Sequence, residues 1–349
     1  MTTMQVLDLK SRWQELKERS PRIRIRDAAQ EIGVSEAELL ATRLGDGVTL
    51  LQGDWKELIK EFPRLGRVMC LTRNEAAVHE RYGVYENIEF FHGMGQVTGP
   101  DIDLRLFLGH WKIGFAVTDA TPEADRLSFH FFDAQGTAVQ KLYLTESSDT
   151  TVYEELKKKF AAPQGSALPV ILPAPARQPG KPDAEVDLAA FHQAWLGMKD
   201  THDFFMILQK FQLGREQALR LAPEGHATRL PIGTPRRLLE EASARDLPIM
   251  VFVGSAGCIQ IHTGPVKNIR MFGDDWVNVL DDEFNLHLRL PLVESAWMVR
   301  KPTTDGDVTS VELYDAQGEN LVLFFGKRKP GNPEDERWRQ LVRDLQEAK

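Results

Sequence analysis

The sequence predicts an α+β fold of two tandem repeats, each a large antiparallel sheet with flanking helices. Three observations predict it. The tetrapeptide Asp-Ala-Gln-Gly occurs twice, at residues 133–136 and 315–318, an offset of 182. At the same offset Leu104, Leu106 and Leu108 fall on Leu286, Leu288 and Leu290, and Val117, Thr121, Asp125 and Ser128 fall on Val299, Thr303, Asp307 and Ser310; eleven of the 34 positions 103–136 are identical without a gap. The segments around both turns alternate apolar and other residues, the period of a half-buried strand. What recurs is a unit rather than a tetrapeptide, which implies an internal duplication.

The elements follow in order. "MTTMQVLDLKSRWQELKERSP" reads as an amphipathic helix carrying charge throughout, unlike a secretory signal. "RDAAQEIGVSEAELLATRLG" reads as a helical hairpin turning at Gly33 with a cap at Ser35. "DIDLRLFLGHWKIGFAV" and "LSFHFFDAQGTAVQKLYL" are strand pairs; in the second the turn supplies an Asp side-chain acceptor and a Gly for positive φ. A helix is expected at 152–160. Residues 162–185 hold six of the 19 prolines (Pro163, Pro169, Pro173, Pro175, Pro179 and Pro182). Such a stretch forms neither helix nor central strand and reads as an extended, semi-rigid linker. The expected organisation is therefore an N-terminal repeat with its helical hairpin at 1–161, a linker at 162–185 and a C-terminal repeat at 186–349. The latter opens with one or two helices in "DLAAFHQAWLGMKDTHDFFMILQKFQL". It continues through "FNLHLRLPLVESAWMV" and "TSVELYDAQGENLVLFFG", and ends in a helix at 334–348.

Composition narrows the function. With 42% hydrophobic and 27% charged residues the chain is an ordinary globular sequence. A net charge of −8 argues against non-specific nucleic-acid binding, so an anionic ligand needs a local cluster of Arg and Lys. Cys70 and Cys258 lie in apolar strand-like runs and read as buried thiols of a reducing compartment. No apolar run reaches the ~20 residues of a membrane span, and a cytoplasmic location is expected. "HGMGQVTG" lacks the spacing of a dinucleotide loop; no CxxC, HExxH or GxSxG occurs, and no histidine pair has zinc spacing. Arg22, Arg24 and Arg26 ahead of the hairpin suggest a helix-turn-helix regulator. Glu36 and Glu38, where a reading helix would meet phosphate, favour a hairpin that only packs.

Two residues stand out. His202 in "MKDTHDFFMIL" follows the candidate N-caps Asp200 and Thr201, which puts it in the first turn of a helix, where the dipole disfavours imidazolium. A neutral imidazole is what an iron ligand must be, and Phe205 and Met206 add apolar surface on the same side, suited to a flat macrocycle such as haem. The competing reading is an ordinary histidine near a cap. Arg105 shares a sheet face with Asp103 and Phe107, where it either lines a ligand pocket or pairs with Asp103.

Together "ELLATRLGDGVTLL", "CLTRNEAAVHERYGVYENI", "DIDLRLFLGHWKIGFAV", "KDTHDFF", "MVFVGSAGCIQIHTGPV" and "RKPTTDGDVTSVELYDAQG" resemble, in order and over nearly the whole chain, the HemS/HmuS-type haem-utilisation proteins of bacterial haem-uptake systems. The resemblance implies a cytoplasmic protein of two sheet-centred repeats with a haem cleft between the halves. It carries the iron ligand onto His202, the distal arginine onto Arg105 with Phe107 beside it, and propionate or pocket contacts onto Arg215, Lys301 and Arg328. His79 is a further candidate contact. Phe325 and Leu323 stand where the family commonly has a tyrosine and a glutamine, so the rim there is expected to be more apolar. The resemblance implies haem b as ligand or substrate. The activity is either degradation with release of iron, drawing on an external electron donor, or carriage to a separate haem oxygenase, with a haem-uptake transporter as a further partner.

Overall fold

The computed structural model describes residues 3–122, 124–176, 180–328 and 331–347; Pro179 of the linker lies outside the described residues. The first half contains helices α1 (Thr3–Arg19), α2 (Ile25–Ile32) and α3 (Glu36–Ala41), then β1 (Val48–Leu51), α4 (Trp55–Glu61), β2 (Val68–Arg73), β3 (Ala77–Gly83), β4 (Ile88–Phe91), β5 (Met94–Thr98), β6 (Asp103–Phe107), β7 (Ile113–Asp119), β8 (Arg126–Phe132), β9 (Ala138–Leu144) and α5 (Thr150–Phe160). The second contains α6 (Leu188–Leu196), α7 (Asp203–Phe211), α8 (Arg215–Arg220), β10 (Ala227–Leu230), α9 (Thr234–Ala244), β11 (Ile249–Gly254), β12 (Cys258–Gly264), β13 (Ile269–Phe272), β14 (Trp276–Leu280), β15 (Phe284–Arg289), β16 (Ser295–Lys301), β17 (Val308–Tyr314), β18 (Asn320–Gly326) and α10 (Glu336–Glu347). From α3 and from α8 onward the two series match element for element, as the duplication predicts.

The strands form two large antiparallel sheets. The chain divides into two compact units: one of Met1–Arg73, Glu80–Pro175 and Gly254–Gln260, the other of Asn74–His79, Ala176–Val253 and Ile261–Lys349. In the first unit the strand run is β1-β7-β8-β9-β2; in the second it is β10-β16-β17-β18-β11. The registers agree at the offset of 182. Val117 faces Ser128 and His130 faces Lys141, as Val299 faces Ser310 and Glu312 faces Leu323. Even the register shift recurs, between Phe131 and Phe132 and between Leu313 and Tyr314.

The repeated tetrapeptide has one chemistry in both copies. Asp133 Oδ1 accepts from the backbone N–H of Gln135 and of Thr137, both at 2.9 Å; Asp315 Oδ1 accepts from Gln317 and Glu319, both at 2.8 Å. The glycines that close the turns have φ of +70° at Gly136 and +73° at Gly318. A Cβ on Gly136 would also stand 2.3 Å from Ser35 Oγ, while one on Gly318 would meet Glu216 Oε2 at 3.0 Å. Gly136→Ala is therefore expected to destabilise by more than the ~1–2 kcal/mol of a left-handed residue, and by more than Gly318→Ala. Urea denaturation of the two variants checks this.

In the first unit α4 and α5 cover one sheet face through Phe62, Phe129, Phe131 and Tyr153, with Phe62 and Phe129 stacked at 5.6 Å. In the second unit α9 and α10 do so through Leu238, Leu239, Trp338 and Leu341. Each such side chain contributes roughly 1.5–3 kcal/mol when fully buried. Cys70 and Cys258 are buried free thiols, and burial pushes both up to about 12. The N-terminal hairpin closes as its residues dictate. Gly33 ends α2 at φ +81°, and Ser35 and Glu38 form a reciprocal capping box. Five of the six residues of α3 are buried and Glu36 is ion-paired to Lys141, so α3 has no face to offer a DNA groove.

The described residues of the proline-rich segment are irregular between α5 and a 3₁₀ turn at Asp183–Glu185. It is held rather than loose. Leu168 is buried in the first unit and Leu172 N–H donates to Ala134 O at 2.8 Å, while in the second Lys181 N–H donates to Gln212 O at 2.8 Å. No helix among the described residues is long and apolar enough to cross a membrane.

Candidate functional site

The second unit presents a sheet face opposite to its main core. Strand alternation puts Trp297, Val299 and Lys301 of β16, Ser310, Glu312 and Tyr314 of β17, Leu323 and Phe325 of β18, and Met250 and Phe252 of β11 on that face. Helices α6–α8 cover the β16–β17 end, where Phe191, Trp195, Phe204, Trp297, Val299 and Tyr314 pack together. The β18–β11 end is half-buried. There Phe252 meets Phe325 edge-on at 5.1 Å between centroids, which makes an apolar shelf.

Two of the expected residues meet on this face, around a third that sequence reasoning did not single out. Glu312 is fully buried. It receives Lys301 Nζ at 2.6 Å, Arg215 Nε at 3.0 Å and Nη2 at 3.2 Å, Ser310 Oγ at 2.9 Å and Tyr314 Oη at 2.5 Å. Phe204 covers the cations: its ring centre is 4.5 Å from Lys301 Nζ and 5.4 Å from the Arg215 guanidinium carbon. Burial alone would raise the Glu312 carboxyl, but Arg215 and then Lys301 hold it well below the usual carboxylate range. Burial pushes the Lys301 ammonium down to about 8, opposed by Glu312 and reinforced by Arg215. The available signal for Glu312 was a lone acid in "TSVELY", on the alternating face where the first repeat has His130.

His202 begins α7. The expectation of a first-turn position capped by Asp200 or Thr201 needs correction, because His202 itself occupies the cap position, with no side-chain cap bond. The carboxylates are used otherwise. Asp203 reaches back to the N–H groups of Lys199 and Asp200, and Asp200 Oδ1 accepts from His202 N–H at 2.8 Å and pairs with its Nδ1 at 2.5 Å. The carboxylate oxygen can only accept, so Nδ1 donates to Asp200 and Nε2 is the nitrogen that a neutral ring leaves with a lone pair. The imidazole is 93% exposed, and Phe205 and Met206 are exposed beside it. The His202 N–H, chiefly, lowers the Asp200 carboxyl, with a smaller contribution from Arg328. Arg328 in turn pairs with Asp305 at 3.6 Å. The structure thus gathers His202, Asp200 and Arg328 at the start of α7, and Arg215, Glu312 and Lys301 under Phe204, two residues further along.

The first unit holds Arg105 and Phe107. Arg105 and Phe107 lie on the half-buried face of β6, with Arg105 opposite Gln96 and Phe107 opposite Met94. Arg105 is ion-paired to Asp103, the second of the two roles its spacing allowed. His79, in the second unit, is fully buried, 4.9 Å from the Phe284 ring and away from any surface a ligand could reach without opening the core.

The second unit thus carries an exposed imidazole engaged by a carboxylate, a buried cationic cluster and an apolar shelf, groups whose chemistry suits a planar, metal-bearing, carboxylate-bearing ligand. The family model described as "Haemin-degrading HemS.ChuX domain" matches the chain twice, over residues 33–160 and 212–345, in step with the two repeats. The chain is 37% identical over 321 residues to the hemin transport protein HmuS of Yersinia pestis, covering 92% of both. Its fold is similar to that of holo-PhuS, a heme-binding protein from Pseudomonas aeruginosa, with a TM-score of 0.94, 46% identity and coverage of 97% and 99% of the two chains. The heme degrading enzyme ChuS of Escherichia coli O157:H7 is similar at a TM-score of 0.91 and 34% identity, with the same coverage. With its duplicated sheets and this site, the chain belongs to the HemS/ChuX family of haem-utilisation proteins.

Proposed function

We propose that the protein binds one haem through its second unit, with His202 Nε2 as the iron ligand, and commits it to ring opening and iron release. The observation that carries the reading is the exposed His202 imidazole, its Nδ1 taken by Asp200. Metal-binding histidines are prepared in this way, the carboxylate fixing the tautomer and raising ligand basicity. Phe205, Met206 and the Phe252–Phe325 shelf offer apolar contact, and the chain's cations supply charge for the propionates: Arg215 and Lys301 from the buried cluster, Arg328 from beside Asp200. Bound haem supplies the redox-active iron, and electrons come from an external donor.

Carriage is the second reading, favoured by the exposure of His202, since a ligand on the surface can give up its iron without unfolding anything. A hemin titration followed by ascorbate with catalase separates the two. Catalase-resistant loss of the Soret band with an open tetrapyrrole supports degradation; an intact band, and transfer of haem to an oxygenase, supports carriage.

Asp200→Ala tests the tautomer argument. Losing an outer-sphere carboxylate costs about 10–100-fold in metal affinity, so hemin affinity is expected to fall by that order while the fold persists, because Asp200 lies on the surface. An unchanged affinity would remove Asp200 from the site.

A further inference from the structure

A cavity of about 480 Å³ lies between the end of the proline-rich linker, the start of α8 and the β17–β18 turn, all within the second unit. That volume is within the ~300–1,000 Å³ of small-molecule sites. Its linker wall is pinned at both backbone groups of one residue. Lys181 N–H donates to Gln212 O at 2.8 Å, and Lys181 O accepts from Gln217 Nε2 at 2.6 Å. Among the described residues, the charged side chains on its walls are Lys181, Glu216 and Arg220. Arg220 is met by Asp183 at 2.9 Å. The other two are not met. Glu216 Oε1 accepts from Ser295 Oγ at 2.6 Å and Trp297 Nε1 at 3.2 Å, both neutral donors, so neither offsets the carboxylate's charge. Its Oε2 lies beside Gly318, where a Cβ would stand 3.0 Å away. Among the described residues no cation pairs with Glu216, and no carboxylate pairs with the Lys181 ammonium. One cavity therefore carries one positive and one negative charge that do not reach each other.

We propose that this cavity binds a small zwitterion, a molecule with one ammonium and one carboxylate, its carboxylate pairing with Lys181 and its ammonium with Glu216 Oε2. Opposite charges too far apart to bridge directly are joined by a solute carrying the complementary pair, and each contact so made is a charge-assisted hydrogen bond. A simple cation meets repulsion from Lys181, and a simple anion meets it from Glu216. The walls thus select for both charges on one molecule. Gly318 contributes by the side chain it lacks, since any other residue would stand against Glu216 Oε2. The pinned backbone of Lys181 keeps the linker wall in place before the ligand arrives, which lowers the ordering cost of binding. The site uses none of His202, Arg215 and Lys301, and it does not depend on the haem reading.

The test is calorimetric titration of the full chain with glycine, β-alanine, 4-aminobutyrate and 6-aminohexanoate, whose two charges stand progressively further apart. Butylamine and butyrate, with one charge each, are titrated alongside. Saturable 1:1 binding of at least one zwitterion is expected. Butylamine and butyrate are expected to bind at least about tenfold more weakly, the factor that one charged hydrogen bond supplies. Lys181→Met and Glu216→Gln are each expected to weaken the best zwitterion by the same order. Lys181→Met is also expected to leave hemin affinity unchanged. If Glu216→Gln does not fold, because Ser295 and Trp297 lose their acceptor, Lys181→Met decides alone, since Lys181 is half-exposed on the linker. The absence of saturable binding by every zwitterion overturns the proposal. So does binding of butylamine or butyrate as tight as the best zwitterion, or an unchanged affinity in Lys181→Met. A hemin affinity lowered by Lys181→Met would merge the cavity with the haem site and overturn its independence.

Discussion

His202→Ala is expected to abolish the saturable 1:1 Soret change on hemin titration, with a loss of affinity beyond the ~10–100-fold of removing an outer-sphere partner. The reasoning is local. His202 offers an imidazole whose Nδ1 is engaged by Asp200, so Nε2 is the nitrogen left to ligate iron. Removing the ring removes the only bond to the metal that the proposal contains and leaves Asp200 in water. Stability is expected to stay within roughly ±0.5 kcal/mol, because a side chain 93% exposed supports no packing. The variant therefore separates ligation from folding. If it binds hemin like wild type, with the same spectrum, His202 is not the ligand and the proposal for the second unit fails.

Glu312→Ala is expected to cost about 3–5 kcal/mol of stability, the range for breaking a buried ion pair by removing one partner. The carboxylate accepts from four side chains, and its loss strands Lys301 and Arg215 beside a sheet face with Phe204 above them. Its acid dependence has a definite sign. The folded-state carboxyl is held below its ordinary value of 4.5, so its stabilisation is present above that value and is lost as pH falls below it. The neighbouring lysine acts at the other end. With Lys301 lowered to about 8 from 10.5, the unfolded chain binds more protons in that window, so this group makes stability rise between pH 8 and 10.5. Thermal melts of wild type and Glu312→Ala across both windows check these signs; a Glu312→Ala protein as stable as wild type would mean that the cluster is not coupled to folding.

Legibility in the sequence followed the range of the interaction. The duplication was legible because strand alternation and turn chemistry are local. Asp133 and Asp315 each bond to their own loop, and Gly136 and Gly318 each meet a φ requirement of their own backbone. From those, the strand pairs and the α+β class followed. His202 was legible as a histidine at a helix start, and the role proposed for it came from the family resemblance. Its partner was half legible: Asp200 was expected to cap the helix, yet its carboxylate holds the imidazole.

Glu312 was not legible. A single acid in a strand reads as a solvated residue unless one knows that α8 lays Arg215 against it and that β16 places Lys301 11 residues away on the same face. His79 was open to the opposite error, since its ring is buried against Phe284 from a strand more than 200 positions distant. The sequence by itself determined the repeat, its turns and strands, and the histidine that starts α7, because each depends on neighbours within a few residues. Only the tertiary structure decided which charges share a buried face and in what numbers, because Coulomb energy and desolvation depend on distances that sequence separation does not encode.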